Sequence, residues 1–370
     1  MIIERLSVIN YKNIGQAELA FSPKINCFIG NNGMGKTNLL DAIYYLSFCK
    51  SHSNPIDTQN INHDSDFCIM QGWYDVRNKK EEIFCSIKRR QKKRFKRNKK
   101  EYEKLSDHIG FLPLVMISPS DSVLISGGSD ERRRFMDVIL SQFDKEYLHS
   151  LIKYNKALQQ RNALLKSEIS NADDTLFELW ENEMVKEGVK IYEKRKSFIE
   201  NFIPIFQHFY NFICQSNEKV SLKYESNVNE SDFESLLRSK REKDKIIGYS
   251  SVGIHKDDLD MEIDDYSIKR VGSQGQNKTY VVALKFAQFD FLRKTGDNVT
   301  PILLLDDIFD KLDSSRVEQI IKLVLSDDFG QIFITDTNRE HLDEILEKAK
   351  SQYYLFNVNG GTVEKIKEQP

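Results

Sequence analysis

The chain has 370 residues, with 54 Lys and Arg against 56 Asp and Glu and a formal net charge of −2. That length predicts two domains or one large domain with an insertion, and the balanced charge excludes a global field drawing the whole protein to nucleic acid. No apolar run approaches the roughly 18 residues of a membrane span, and five scattered cysteines without C-x-x-C spacing predict a reducing, cytoplasmic compartment and no zinc site.

In chain order, the first residues, Met1-Ile2-Ile3-Glu4-Arg5-Leu6, lack the pattern of a signal peptide. Lys24-Ile25-Asn26-Cys27-Phe28-Ile29, bounded by Pro23, reads as a short buried strand. Gly30-Asn31-Asn32-Gly33-Met34-Gly35-Lys36-Thr37 then fits the phosphate-binding loop G-x-x-x-x-G-K-[ST]. Leu39, Leu40, Ile43, Tyr44 and Leu46 continue at helical spacing, with Asn38 in the first turn. Strand, loop and helix together predict a nucleoside triphosphate site. Backbone N–H groups and the helix N-terminus face the anion, Lys36 reaches the β- and γ-phosphates, and the Thr37 hydroxyl sits on Mg²⁺.

Ile83 to Ile87 reads as a strand and Arg94-Phe95-Lys96 as its return. Between Lys88 and Lys100 ten of thirteen residues are Lys or Arg and none is acidic. Such a run either neutralises nucleic-acid phosphates, with Lys92, Lys93, Arg94, Lys96 and Arg97 as candidate contacts, or is a solvated hairpin. From Asp130 the chain becomes helical. Phe135, Val138, Ile139, Phe143, Leu148, Leu151, Ile152 and Leu158 recur at three- and four-residue steps, and a second pattern runs from Leu176 to Ile199, with Pro204 expected to bend or end it. These helices are too short for long coiled-coil arms.

Val271-Gly272-Ser273-Gln274-Gly275-Gln276-Asn277-Lys278 precedes an apolar helix through Tyr280, Leu284 and Phe289. Ser273 and Gly275 at a helix start make a second anion-binding end. With one cradle already at Gly30, its natural use is the γ-phosphate of a nucleotide held by another subunit. Pro301-Ile302-Leu303-Leu304-Leu305-Asp306-Asp307 then reads as a buried parallel strand ending in two carboxylates. Ligands bind outside the carboxyl ends of such strands. Asp306 is placed to hold Mg²⁺ through water, and Asp307 to polarise the attacking water. A helix from Arg316 to Leu325 and a strand, Gln331-Ile332-Phe333-Ile334-Thr335, follow. The two ends therefore build one nucleotide core, residues 1–118 and 250–370, with a mostly helical second lobe, 119–249, inserted.

Loop, Ser-x-Gly-Gln signature, apolar strand with paired acids and then Phe309-Asp310-Lys311-Leu312-Asp313 resemble the ABC-type ATPase head. That class includes SMC proteins and DNA-repair ATPases. More narrowly, the chain is similar to the RecF family of bacterial recombination mediators. The carrying features are Leu6-Ser7-Val8-Ile9-Asn10-Tyr11-Lys12-Asn13, the loop through Asn38, Pro119-Ser120-Asp121, Arg132-Arg133-Arg134-Phe135-Met136-Asp137, Gly253-Ile254-His255-Lys256-Asp257-Asp258-Leu259, and Leu304-Leu305-Asp306-Asp307-Ile308-Phe309.

The resemblance implies an α/β ABC-type head that binds ATP and Mg²⁺, dimerises around ATP and holds single-stranded, double-stranded or gapped DNA. It would be a weak DNA-dependent ATPase whose slow hydrolysis releases it, and it would help load recombinase at gaps in repair and replication restart. Partners would be RecR and RecO, with no membrane and a nucleoid-associated location. Residues 30–38 of one subunit would face Ser273, Gly275 and Gln276 of the other, with Asp313 in the loop that crosses the interface. His255-Lys256-Asp257-Asp258 matches a family motif whose role stays open among core, ion-pair and site readings.

Two departures bear on the alternatives, a transporter motor or a defence ATPase that drives a nuclease. Asp336 and Thr337 follow Thr335 where transporter heads carry a γ-phosphate-sensing histidine, and Asp307 replaces their usual glutamate. The first speaks against a transporter, and the shorter arm of Asp307 suits a slow ATPase.

Overall fold

The first twenty residues alternate buried and exposed side chains, as a half-buried antiparallel hairpin requires. They form β1 (Ile2–Tyr11) and β2 (Ile14–Ala20), followed by β3 (Ile25–Ile29) and α1 (Lys36–Phe48). Next come β4 (Phe67–Val76), β5 (Lys79–Lys88), β6 (Arg94–Arg97), β7 (Lys100–Glu101) and β8 (Leu114–Ile117). A helical stretch follows with α2 (Val123–Ser126), α3 (Ser129–Phe143), α4 (Lys145–Lys166) and α5 (Asp174–Cys214). Then come β9 (Val220–Glu225), α6 (Phe233–Ile247), β10 (Asp258–Ile263), β11 (Tyr266–Ser267), α7 (Ile268–Val271) and α8 (Gln274–Thr295). The chain closes with β12 (Ile302–Asp306), α9 (Ser314–Val324), β13 (Ile332–Asp336), β14 (Tyr353–Asn359) and β15 (Thr362–Gln369). This computed structural model describes residues 1–166, 174–215, 218–229, 232–296, 299–309, 312–337 and 352–369.

The chain divides into two compact units. One comprises residues 1–121, 212–214 and 284–370, the other 122–211 and 215–283. Residues 250–283, expected with the nucleotide core, group with the second unit. The reason is strand pairing: β10 registers along the whole of β9, Asp258 opposite Glu225 through Ile263 opposite Val220.

The first unit holds two six-stranded sheets. One is antiparallel, in the order β2-β1-β4-β5-β6-β7. The other runs β15-β14-β3-β13-β12-β8, parallel except for β15. Helix α1 packs against strands of both sheets, which explains its lack of a polar face: from Leu39 to Phe48 every residue is buried. Gln331 joins the sheets through its amide. Its Oε1 accepts from Ile3 N–H at 2.7 Å, and its Nε2 donates to the carbonyls of Ile3 and Ser22 at 2.8 and 2.7 Å. Phe21, Phe28, Phe333 and Phe356 meet in the parallel sheet's core, with ring centroids 4.9 Å (Phe21–Phe333) and 5.1 Å (Phe28–Phe356) apart.

The second unit holds α2 to α4, α5 as far as Asn211, α6, α7, the small sheet β11-β10-β9 and the start of α8. Helix α5 continues for 41 residues with Pro204 inside it, so the helix does not end at that proline. Proline removes the N–H that would bond the carbonyl four residues back. Pro204 and Glu200 both lie on the exposed face, where water can serve that carbonyl.

Candidate nucleotide site

The glycines of the loop are set by close approach and by φ. A Cβ at Gly30 would stand 2.2 Å from the Val358 carbonyl oxygen, so no side chain fits against β14. Gly35 caps α1 with φ +114°, a left-handed conformation that favours glycine. The loop is held from outside by two turns. Asn13, between β1 and β2, donates Nδ2 to Gly33 O at 3.2 Å and accepts from Asn38 Nδ2 at 2.7 Å. Gly361, between β14 and β15, donates its N–H to Met34 O at 3.0 Å. Asn31, Asn32, Gly33 and Thr37 are exposed, whereas Lys36 is buried with its Nζ 2.8 Å from Gly30 O and 3.3 Å from Asn31 O.

Strand β12 brings its acids to the same edge. The Thr37 hydroxyl stands 2.9 and 3.0 Å from the two oxygens of Asp306. Thr335, at the end of β13, donates its hydroxyl to Asp306 Oδ1 at 2.7 Å, and its Oγ1 accepts from Asp307 N–H at 3.2 Å. Burial pushes the Asp306 carboxyl above the usual carboxylate range. The hydroxyls of Thr335 and Thr37 and the charge of Lys36 pull it back. Asp307 leaves the strand with φ +46°, a left-handed turn that aspartate tolerates better than most residues. Asn13 and Thr335 were not singled out as site residues from sequence. Asn13 lies within the opening motif, and Thr335 stands just before the position where transporter heads carry a histidine.

The signature residues lie in the second unit. Ser273 Oγ accepts from Gln276 N–H at 3.2 Å, and Gln276 Oε1 accepts from Ser273 N–H at 2.8 Å. This is a reciprocal capping box at the start of α8, and its S-x-x-Q pattern was present in the sequence. Gly275 lies in the first turn of α8. Asp313 caps α9, accepting from Arg316 N–H at 3.0 Å and the Ser315 hydroxyl at 2.7 Å. Asp310 and Lys311 lie outside the described residues.

The candidate nucleic-acid contacts separate into two kinds. Lys93 is turned inward: its Nζ donates to Cys49 O at 2.6 Å and lies 2.9 Å from Asp57. Arg97 grips Glu81 with two bonds, 2.8 and 2.6 Å, and its guanidinium lies 3.7 Å over the Phe111 ring. Both cations are thus engaged within the fold, Lys93 by the end of α1 and Asp57, and Arg97 by Glu81 of β5. Lys92 and Arg94 are exposed, Arg94 within 3.6 Å of Glu101, and Lys96 is half-buried with its Nζ 5.9 Å from the Phe84 ring.

The motif His255-Lys256-Asp257-Asp258 ties the second unit together. His255 Nε2 faces the Ser250 carbonyl at 3.0 Å, and a carbonyl only accepts, so Nε2 carries the proton and Nδ1 accepts from the Tyr154 hydroxyl at 2.9 Å. Burial pushes the imidazole down to about 4. Asp257 accepts from Arg195 at 2.8 Å and Tyr224 at 2.5 Å, and Asp258 forms a bidentate pair with Arg132 at 2.6 and 2.8 Å.

A glycine loop leading into a buried helix, with a strand-end aspartate on its threonine and a parallel core beside an antiparallel sheet, defines the ABC/SMC class of ATPase head. Residues 2–364 match the RecF/RecN/SMC N terminal domain family. The chain belongs to that family. It is 62% identical over 369 residues to the DNA replication and repair protein RecF of Phocaeicola vulgatus, covering 100% of this chain and 99% of that one. Over 370 residues it is 62% identical to the protein of that name in Bacteroides fragilis, covering 100% of both. The solved structure of the recombination mediator protein RecF with ATP in the RecFOR pathway is 26% identical, with a TM-score of 0.87 over 99% of each chain. An SMC head bound to the C-terminal winged-helix domain of ScpA shares the fold, at 15% identity and a TM-score of 0.59, over 99% of this chain and 97% of that one.

Proposed function

We propose that this chain is an ATP-dependent DNA-binding protein of recombinational repair and replication restart. It binds ATP as substrate at residues 30–38 and closes as a homodimer on single- or double-stranded DNA. Weak, DNA-stimulated hydrolysis then releases it, and it acts with RecR and RecO at gaps. The observation that carries this reading is the meeting of the Thr37 hydroxyl and the buried Asp306 carboxylate within 3.0 Å. The names of the full-length relatives support the repair role, and the RecF–ATP structure supports ATP as the nucleotide.

The residues fit a magnesium ion. A hydroxyl and a carboxylate at one point form an all-oxygen donor set of the kind Mg²⁺ takes while keeping most of its waters. Thr37 and Asp306 would hold it, and when bound it neutralises charge on the substrate phosphates. Lys36, buried at the loop, would place its ammonium on the β- and γ-phosphates. Thr335 holds the Asp306 carboxylate and the Asp307 backbone together, so Asp307 starts from a fixed turn to orient water. Ser273, Gly275 and Gln276 would complete the site from a second copy, with Asp313 near that interface. In this role Ser273 offers the N-terminal end of α8 to the anion.

Equilibrium ATP binding and phosphate release on the parent and Lys36→Met test the site. We expect binding or turnover to be lost in the variant; unchanged affinity and turnover would remove the assignment. DNA binding with and without ATP, on duplex, single-stranded and gapped substrates alongside a sizing measurement, tests the wider role.

A further inference from the structure

The turn before α8 is wired to a buried tyrosine through one glutamate. Gln276 uses Oε1 for the capping box with Ser273, and its Nε2 donates to Glu218 Oε1 at 2.8 Å. Glu218 Oε2 accepts from the Tyr210 hydroxyl at 2.6 Å. The amide has only one workable orientation here, because a flip would turn its oxygen toward a carboxylate and its NH₂ toward an N–H. Tyr210 is fully buried, its ring 6.0 Å from that of Tyr280 in the second turn of α8. Tyr280 is anchored in turn, its hydroxyl donating to Ser221 O at 2.7 Å. The turn has no slack beside this chain: a Cβ at Gly272 would stand 2.3 Å from Asn277 Oδ1 and 2.6 Å from Ile268 O.

We propose that Glu218 and Tyr210 are positioning residues for the signature turn. They fix the rotamer of Gln276, and Gln276 fixes both polar groups of Ser273, its hydroxyl and its N–H. Glu218 does this as a carboxylate whose two oxygens accept from Gln276 and Tyr210, so it aims the anion-binding end of α8 through an amide. The inference rests on the reading of Ser273 as a group that meets the nucleotide of a second copy. It extends that reading to residues far from the signature in sequence, on the C-terminal part of α5 and the segment before β9. Its consequence is a division of labour: losing Glu218 leaves loading of ATP at Lys36 intact and weakens closure of the two copies.

The test uses the full-length protein, Glu218→Ala, Glu218→Gln and Tyr210→Phe, with three readouts. These are hydrogen exchange of the 273–277 amides without nucleotide, equilibrium ATP binding, and light scattering against protein concentration with ATP and Mg²⁺. Losing one such bond is worth about a fivefold change in an equilibrium. Glu218→Ala should exchange the Gln276 amide about fivefold faster, raise the dimerisation midpoint by a similar factor and leave ATP affinity unchanged. Glu218→Gln, which keeps an acceptor for Gln276 and a donor for the Tyr210 oxygen, should restore both. Tyr210→Phe should shift both readouts the same way and by less, and it decides the matter if Glu218→Ala does not fold. If the parent dimerises while Glu218→Ala and Tyr210→Phe match it in exchange and midpoint, the inference is overturned alone. A parent that stays monomeric with ATP at every concentration overturns the trans reading and the inference with it.

Discussion

His255 is neutral in the folded protein at every ordinary pH, since burial holds its imidazole at about 4 against 6.5 for the free side chain, with Lys256, Arg133 and Arg161 adding to the effect. The unfolded chain therefore binds the extra proton between those two values, and stability rises with pH across that window. The contribution is full above about pH 6.5 and is lost as pH falls toward 4, up to about 3 kcal/mol. Urea unfolding of the parent between pH 4.5 and 7 should show this slope. His255→Gln, which cannot titrate, should flatten it at some cost in stability, and an undiminished slope would place the proton elsewhere. Burial raises the Asp306 carboxyl, whereas the metal-holding role proposed for it needs the ionised form. The hydroxyls of Thr335 and Thr37 offset that burial, so in the proposed site these two threonines would matter as much as the acids.

At the scale of elements, the basic hairpin shows what a charge run hides. Lys93 and Arg97 look equivalent to Lys92 in sequence, but the register of β5 and β6, Ile83 opposite Arg97, puts Glu81 within reach of Arg97. Replacing Lys93 or Arg97 by alanine should cost stability, on the order of 1–3 kcal/mol, because Asp57 or the buried Glu81 loses its cationic partner. Replacing the exposed Lys92 and Arg94 should leave the melting temperature within a degree or two and flatten the salt dependence of DNA binding if this hairpin touches phosphates. An unchanged slope would make Lys92 and Arg94 a solvated face. The contrast explains which elements were legible. The loop at Gly30 and the Ile302–Asp307 run are local patterns whose chemistry demands adjacent residues, so they could be read directly. The partners of Lys93, Arg97 and His255 come from other elements, and nothing local announces them. The capping box is legible as S-x-x-Q, yet the same residues equally fit an anion site, because both ask for serine at a helix start.

At the scale of the molecule, the site depends on sheet order that no local pattern encodes. Strand β3, which delivers the loop, lies between β13 and β14, and β12 brings Asp306 beside Thr335 through β13. The insertion was inferable because two halves of one site stood far apart in the chain. Its return point was not, since β10 belongs to β9 by pairing and to neither half by composition. With the trans site as proposed, Asp307→Asn should retain ATP affinity and accumulate dimer in light scattering with ATP and Mg²⁺. A variant that stays monomeric under those conditions would count against closure around the nucleotide.

The position of β3 also dictates when the nucleotide core can exist during synthesis. Its neighbours, Ile332–Asp336 and Tyr353–Asn359, leave the ribosome some 300 residues later, about 15–60 s at ordinary elongation rates. Until then the apolar strand Ile25–Ile29 has both edges open, a ready template for wrong pairing. The stretch that forms the second unit, residues 122–283 for the most part, emerges complete before them. The nascent protein should thus carry a folded helical unit while its ATP-binding half waits for its last strands, and truncations near the C-terminus should yield an aggregation-prone chain rather than a shortened ATPase.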